Sequence, residues 1–246
     1  MRILSKILSV IWLPIIILVY GYFQAKYAID SINVASYLAE GSRVDIIVIT
    51  IGKIINSYMF IMMTVIYAMI LSVKHEKINF KIKYKSNFSR ILLEAKNYSI
   101  ITFVYTFLII TIFVLYARYN IKQDINWSSL NSYYAFKTMS TSDVSFINIV
   151  IKLFLILYVN FEMIYILYNI IYHLIHMKVV SIMIEFIFIN VSKYLLHVNI
   201  LASYKYDSIA NNTNFIFILL YCLMIIVGLV ALKYVVNREE YDENKT

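Results

Sequence analysis

The chain has 246 residues, 62% of them hydrophobic and 15% charged, with a formal net charge of +8 and a mean hydropathy of +0.76. Several apolar runs of about twenty residues, the length of helix that crosses a ~30 Å hydrocarbon core, give it the composition of a polytopic helical membrane protein and exclude a soluble domain, which needs more polar surface. One Pro and four Gly leave little for turn-rich β architecture, and a membrane β-barrel shows alternating segments of about ten residues instead.

The apolar runs cover about 7–23, 46–73, 99–117, 147–172, 179–197 and 214–235. They predict an all-α chain of six transmembrane helices in a single domain, 1–246. The first run follows Arg2 and Lys6 in the manner of a secretory signal, but no small-x-small site follows it, so it reads as a retained span. The second run ends at a basic connector, 74–98, with seven Lys/Arg against two Glu. The fourth carries Tyr158, Glu162, Tyr165, Tyr168 and Tyr172 at helical spacing. That face either lines a path for an amphipathic ligand or packs against neighbouring spans. The fifth is the weakest, holding Glu185, Lys193 and His197, and helix rise puts Glu185 at a depth similar to Glu162. Ionisable groups at that depth are expensive, so the two carboxylates either ring a cavity or pair with polar neighbours to fix packing. Lys53, Lys152 and Lys193 fall near the other face and are expected to snorkel outward. Trp127, in the longest loop, is expected at the membrane interface.

Lys/Arg bias sets the orientation. With the amino terminus inside, the inner segments hold thirteen Lys/Arg and the outer loops six, so both termini and 74–98 are expected to be cytoplasmic.

No catalytic constellation emerges, and the chain is expected not to be an enzyme. His173 and His176 are three apart with no further ligand nearby, Glu239-Glu240 stands in a polar tail, and Cys222 is alone. A phosphate-cradling G-x-x-x-x-G-K-[ST] loop is absent, the four glycines (21, 41, 52 and 228) including no pair at that spacing.

The connector changes character along its length. From 77 to 85 it alternates, Ile78, Phe80, Ile82 and Tyr84 on one side and Lys77, Lys81, Lys83 and Lys85 on the other. Asn87 or Ser89 can then cap a helix in which Ile91, Leu92, Ala95 and Tyr98 fall at helical spacing. Glu76, then Ser89-Arg90, then Ala95-Lys96 resembles the segment after the second span of ABC-2-type exporter permeases, although the Gly-Thr and Pro of that pattern are absent. The short length and the Ile/Asn/Lys/Tyr-rich composition are similar to the membrane subunits of phenol-soluble modulin exporters, which expel amphipathic toxin peptides.

The resemblance implies a permease of the bacterial cell membrane whose connector is a coupling helix, with Ile91, Leu92 and Ala95 filling a groove on a separate cytoplasmic ABC ATPase subunit and Arg90 and Lys96 at its rim. ATP and Mg would then sit on that partner and no cofactor or metal on this chain. A second permease copy or related permease would complete the path, lined by Glu162, Glu185, Tyr158 and Tyr165, for an amphipathic peptide. Membrane lipid is the remaining partner, and nucleic acid is not expected. A lantibiotic or bacteriocin immunity permease shares this architecture, and a non-transporting membrane immunity or scaffold protein is the reading from another class.

Overall fold

In the computed structural model, residues 2–73, 87–194, 201–202, 206, 208–210 and 213–243 are described, and every long element among them is an α-helix. In chain order these are α1 (Arg2–Ala35), α2 (Arg43–Ile55), α3 (Tyr58–Val73), α4 (Asn87–Asn120), α5 (Tyr133–Thr138), α6 (Phe146–Ile175), α7 (Lys178–Tyr194) and α8 (Thr213–Glu243), with a 3-10 turn at Ser208–Ala210. Glu76 and the alternating stretch to Lys85 lie outside the described residues.

Helices α1, α4, α6 and α8 are long and apolar enough to cross a membrane, and α2 with α3 adds a fifth crossing if the break at Asn56–Ser57 is counted as a bend in one span. The expected fifth run is helical as α7. At 17 residues, however, α7 falls short of the ~20 that a crossing helix needs, and 195–197 lie outside the described residues. Helix length and composition therefore support a multi-pass membrane protein with four or five crossings, where six were expected.

Two compact units divide the chain. The first takes Met1–Ser57, Tyr105–Tyr158 and Ser203–Ile218, and so contains α1, α2 and α5 whole. Helix α1 runs to Ala35, well past the expected end at 23, because its buried stripe continues through a more polar sequence: Leu13, Ile17, Gly21, Ala25, Ala28 and Ile32 recur at steps of three and four. Pro14 is inside this helix and buried, as neighbouring helices allow in membrane proteins. The small residues of the stripe let α2 and α4 approach closely. A methyl group at Gly21 would collide with the Phe113 ring and come within 2.9 Å of Ile54 Cδ1. Both neighbours are buried, so Gly21→Ala is expected to cost about 1–3 kcal/mol through overpacking, read as a lower thermal midpoint in detergent. An unchanged midpoint would show that the Phe113 ring yields freely.

The second unit takes Tyr58–Val104, Val159–Ala202 and Leu219–Thr246. Its centre is the α6 segment from 159 to 169, where every residue but Leu167 is buried. Phe60 of α3 packs on Phe161 at 5.3 Å, and Tyr98 of α4 stacks on Tyr165 at 4.2 Å. Helix α3 lies along α7, with Tyr58 against Phe186. The i, i+4 pair Leu232 and Val236 of α8 closes over Ile91 of α4. His176 ends α6 with a left-handed φ of 58° and donates its N–H to Tyr172 O at 2.7 Å, so one member of the expected H-x-x-H pair is a helix-terminating residue.

Candidate functional site

In the first unit the polar structure is built around the start of α2. Ser42 precedes the helix and Asp45 is its third residue, the arrangement in which a carboxylate turns back to satisfy amide hydrogens left open at a helix start. Asp45 Oδ2 accepts from the Ser42 N–H and from Ser42 Oγ, each at 2.7 Å. Its Oδ1 accepts from Trp127 Nε1 at 2.7 Å and from the Tyr206 hydroxyl. A fully buried carboxylate thus holds four donors from three parts of the chain, which is what makes its burial tolerable. Burial first, and the nearby Asp45 charge second, push the Tyr206 hydroxyl well above the ordinary tyrosine range, so it remains a donor at all physiological pH.

The loop from 121 to 132 closes over this carboxylate. Arg43 N–H and Val44 N–H donate to the carbonyls of Gln123 and Asp124, and the Arg43 guanidinium pairs with Asp124 and with Ile121 O. Trp127, expected at the membrane interface, is completely buried within the protein and stacked on Tyr134 at 4.2 Å. Lys152, expected to snorkel, is also buried, and its ammonium donates to Ile209 O at 3.1 Å. A carbonyl of the last loop meets that charge before solvent does.

Beside this network is a cavity of about 960 Å³. One face of α1 contributes Tyr27, Asp30, Ser31 and Val34, at i, i+3, i+4 and i+7. One face of α2 contributes Val48, Ile49, Gly52, Lys53 and Asn56, and α5 supplies Tyr133 and Lys137. Lys53 Nζ lies 5.3 Å from the centre of the Tyr27 ring and Lys137 Nζ 5.6 Å from that of Tyr133, both within cation–π range.

The residues expected to line a path fall elsewhere. In the second unit, Glu162 is buried and accepts from Thr102 Oγ1 at 2.8 Å. Glu185 has no exposed surface, and neither of its carboxylate oxygens has a hydrogen-bond partner among the described residues. The Tyr98 hydroxyl donates to Phe161 O at 3.1 Å. Tyr165 is occupied by its stack on Tyr98, and in the first unit Tyr158 stacks on Phe154. None of Glu162, Glu185, Tyr158 and Tyr165 lines the 960 Å³ cavity. Along this face of α6, Glu162, Tyr165 and Tyr168 are buried, and Tyr158 and Tyr172 are half-buried.

The connector residues divide along the first turns of α4. Ile91 is 2% exposed and held by Leu232 and Val236, so it is not available to fill a groove on another subunit. Leu92 is 49% exposed, Ser89 and Lys96 are exposed, and Ala95 is half-buried. Arg90 is helical.

The sequence carried a signal for Asp45 that hydropathy passes over, since Ser-x-x-Asp immediately before an apolar run is a helix-start signature. The cavity had a weaker one: Tyr27, Asp30, Ser31 and Val34 share a helical face only if α1 continues past 23. No protein-family model matches the chain, and no curated protein or solved structure matches it either.

Proposed function

We propose that this chain is the transmembrane permease subunit of an ATP-driven exporter of amphipathic peptides, working in a bacterial cell membrane with a separate cytoplasmic ATPase and a second permease copy. In this reading it crosses six times with both termini cytoplasmic, α2 and α3 forming one broken span and α7 a short one. The observation that carries the reading is the beginning of α4. At 1.5 Å per residue its 34 residues extend roughly 50 Å, longer than a ~30 Å core, so several turns stand beyond the hydrocarbon. The first of those turns hold the Ser89-Arg90 and Ala95-Lys96 pairs. Ile91 ties them to α8, leaving Leu92 and Lys96 outward on a helix continuous with a span. A rigid helix with an anchored inner side and an apolar outer residue is suited to passing a partner's movement into the membrane.

The test compares affinity-tagged chains purified from native membranes in mild detergent, read by co-purifying ATP hydrolysis. Leu92→Asp is expected to lower that hydrolysis at least tenfold with yield and thermal midpoint unchanged, because the side chain is half exposed. Ile91→Ala is expected to lower the midpoint, since removing a buried Ile costs about 2–5 kcal/mol. Lys83→Ala should leave both unaltered. An unmodified chain that brings down no ATPase would favour the non-transporting immunity or scaffold reading, and full hydrolysis with Leu92→Asp would reject the coupling role.

A further inference from the structure

The cavity in the first unit has a chemistry of its own, and it does not depend on the ATPase reading. Its lining carries two ammonium groups, Lys53 and Lys137, and one carboxylate, Asp30, a surplus of one positive charge. Neither lysine is ion-paired among the described residues, where the salt bridge is Arg43–Asp124, outside the cavity. Each ammonium instead rests over a tyrosine ring, Lys53 across from α2 to Tyr27 of α1 and Lys137 one turn along from Tyr133. Such contacts hold a lysine in place while leaving its N–H donors directed elsewhere.

Three hydroxyls of the lining, those of Ser31, Thr138 and Tyr206, are already engaged. Ser31 Oγ donates to Tyr27 O at 2.8 Å and Thr138 Oγ1 to Tyr134 O at 2.8 Å. The two lysines are the charged donors of the lining and favour an anionic group over a neutral one. Val34, Val48 and Ile49 supply an apolar part of the wall. At about 960 Å³ the space is at the upper end of the range for drug-sized ligands and far exceeds a bare inorganic ion.

We propose that this cavity binds an amphiphile with a phosphate headgroup, the phosphate held between Lys53 and Lys137 and the chain laid along Val34, Val48 and Ile49. Asp30 opposes the negative headgroup and limits its affinity. A membrane phospholipid and a free alkyl phosphate share this chemistry, and the probes separate them.

The full chain, purified in dodecyl maltoside, is titrated with a fluorescent short-chain phosphatidylglycerol. Lys53→Glu/Lys137→Glu is expected to weaken binding at least tenfold, and the single variants Lys53→Gln and Lys137→Gln about threefold each, which keeps the test alive if the double variant folds poorly. Asp30→Asn is expected to tighten binding a few-fold, and Lys122→Glu, outside the cavity, to change nothing. Competition by short-chain phosphatidylglycerol well below the concentration needed of dodecyl phosphate identifies a lipid site, and the reverse order a free amphiphile; both support the proposal. Unchanged binding in the lysine variants, weaker binding with Asp30→Asn, or displacement by inorganic phosphate as readily as by either amphiphile would overturn it.

Discussion

Replacing Asp45 by alanine is expected to lower the thermal midpoint of the purified chain more than any other single polar substitution in the first unit. The carboxylate accepts from Ser42 twice, from Trp127 and from Tyr206, all in a site closed to solvent. Alanine leaves those donors buried without an acceptor, at about 1–3 kcal/mol for each that finds no substitute. Ser42 can turn its hydroxyl to another acceptor, whereas the indole N–H cannot. The net loss is about 3–5 kcal/mol, roughly 6–20 °C for a chain of this size. Asp45→Asn keeps an oxygen for Trp127 and Tyr206 but presents an amide hydrogen to a Ser42 donor, so an intermediate loss is expected. Trp127 emission should shift to the red in the alanine variant as water enters. A midpoint within two degrees of the parent, with unshifted emission, would mean that the loop is held by other contacts.

Glu185→Leu should act in the opposite direction. Glu185 has no exposed surface and neither oxygen is hydrogen-bonded among the described residues, so burial of the carboxyl carries a desolvation cost that no hydrogen bond there offsets. Leucine fills a comparable volume without polar atoms, and relieving a buried polar group of its unmet hydrogen bonds is expected to stabilise by about 1–3 kcal/mol. Glu162→Leu is expected to gain less, because it also removes the bond from Thr102 and leaves that hydroxyl to its backbone partners. A lower midpoint for Glu185→Leu would refute this account of the site. Undiminished peptide export by a stabilised Glu185→Leu chain would remove Glu185 from the transport path, and lost export would show a group kept for function at a cost in stability.

Hydropathy revealed the long helices because a crossing segment must be apolar nearly throughout, and α4, α6 and α8 announce themselves that way. It stopped α1 at 23 because Gln24, Lys26 and Asp30 dilute the average, although Ala25, Ala28 and Ile32 maintain the buried side. It left Glu162, Tyr165 and Tyr168 open between a path lining and a packed face, since the same residue types serve either and only the neighbours decide. Ile91 and Leu92 show the limit most plainly: adjacent and almost identical in chemistry, one is buried and the other exposed because α8 covers only the first. A pattern within one helix cannot say where a second helix, more than a hundred residues later, will lie. The cluster at Asp45 was hidden for a related reason, its partners being 82 and 161 residues away.

Those separations impose an order on how the first unit is assembled. As the chain emerges, Ser42 and Asp45 meet at once, Trp127 joins only after α4 has been made, and Tyr206 comes after α6 and α7. At 5–20 residues per second, roughly 10–30 s separate the synthesis of the carboxylate from that of its last donor. Throughout that interval the unit holds an incompletely bonded carboxylate, and long-range closure is the slow kind of contact to form. A nascent chain halted before Tyr206 therefore lacks one of the four donors to Asp45, while a completed one has them all. Closure of this cluster therefore cannot precede the synthesis of Tyr206, after most of the chain has been made.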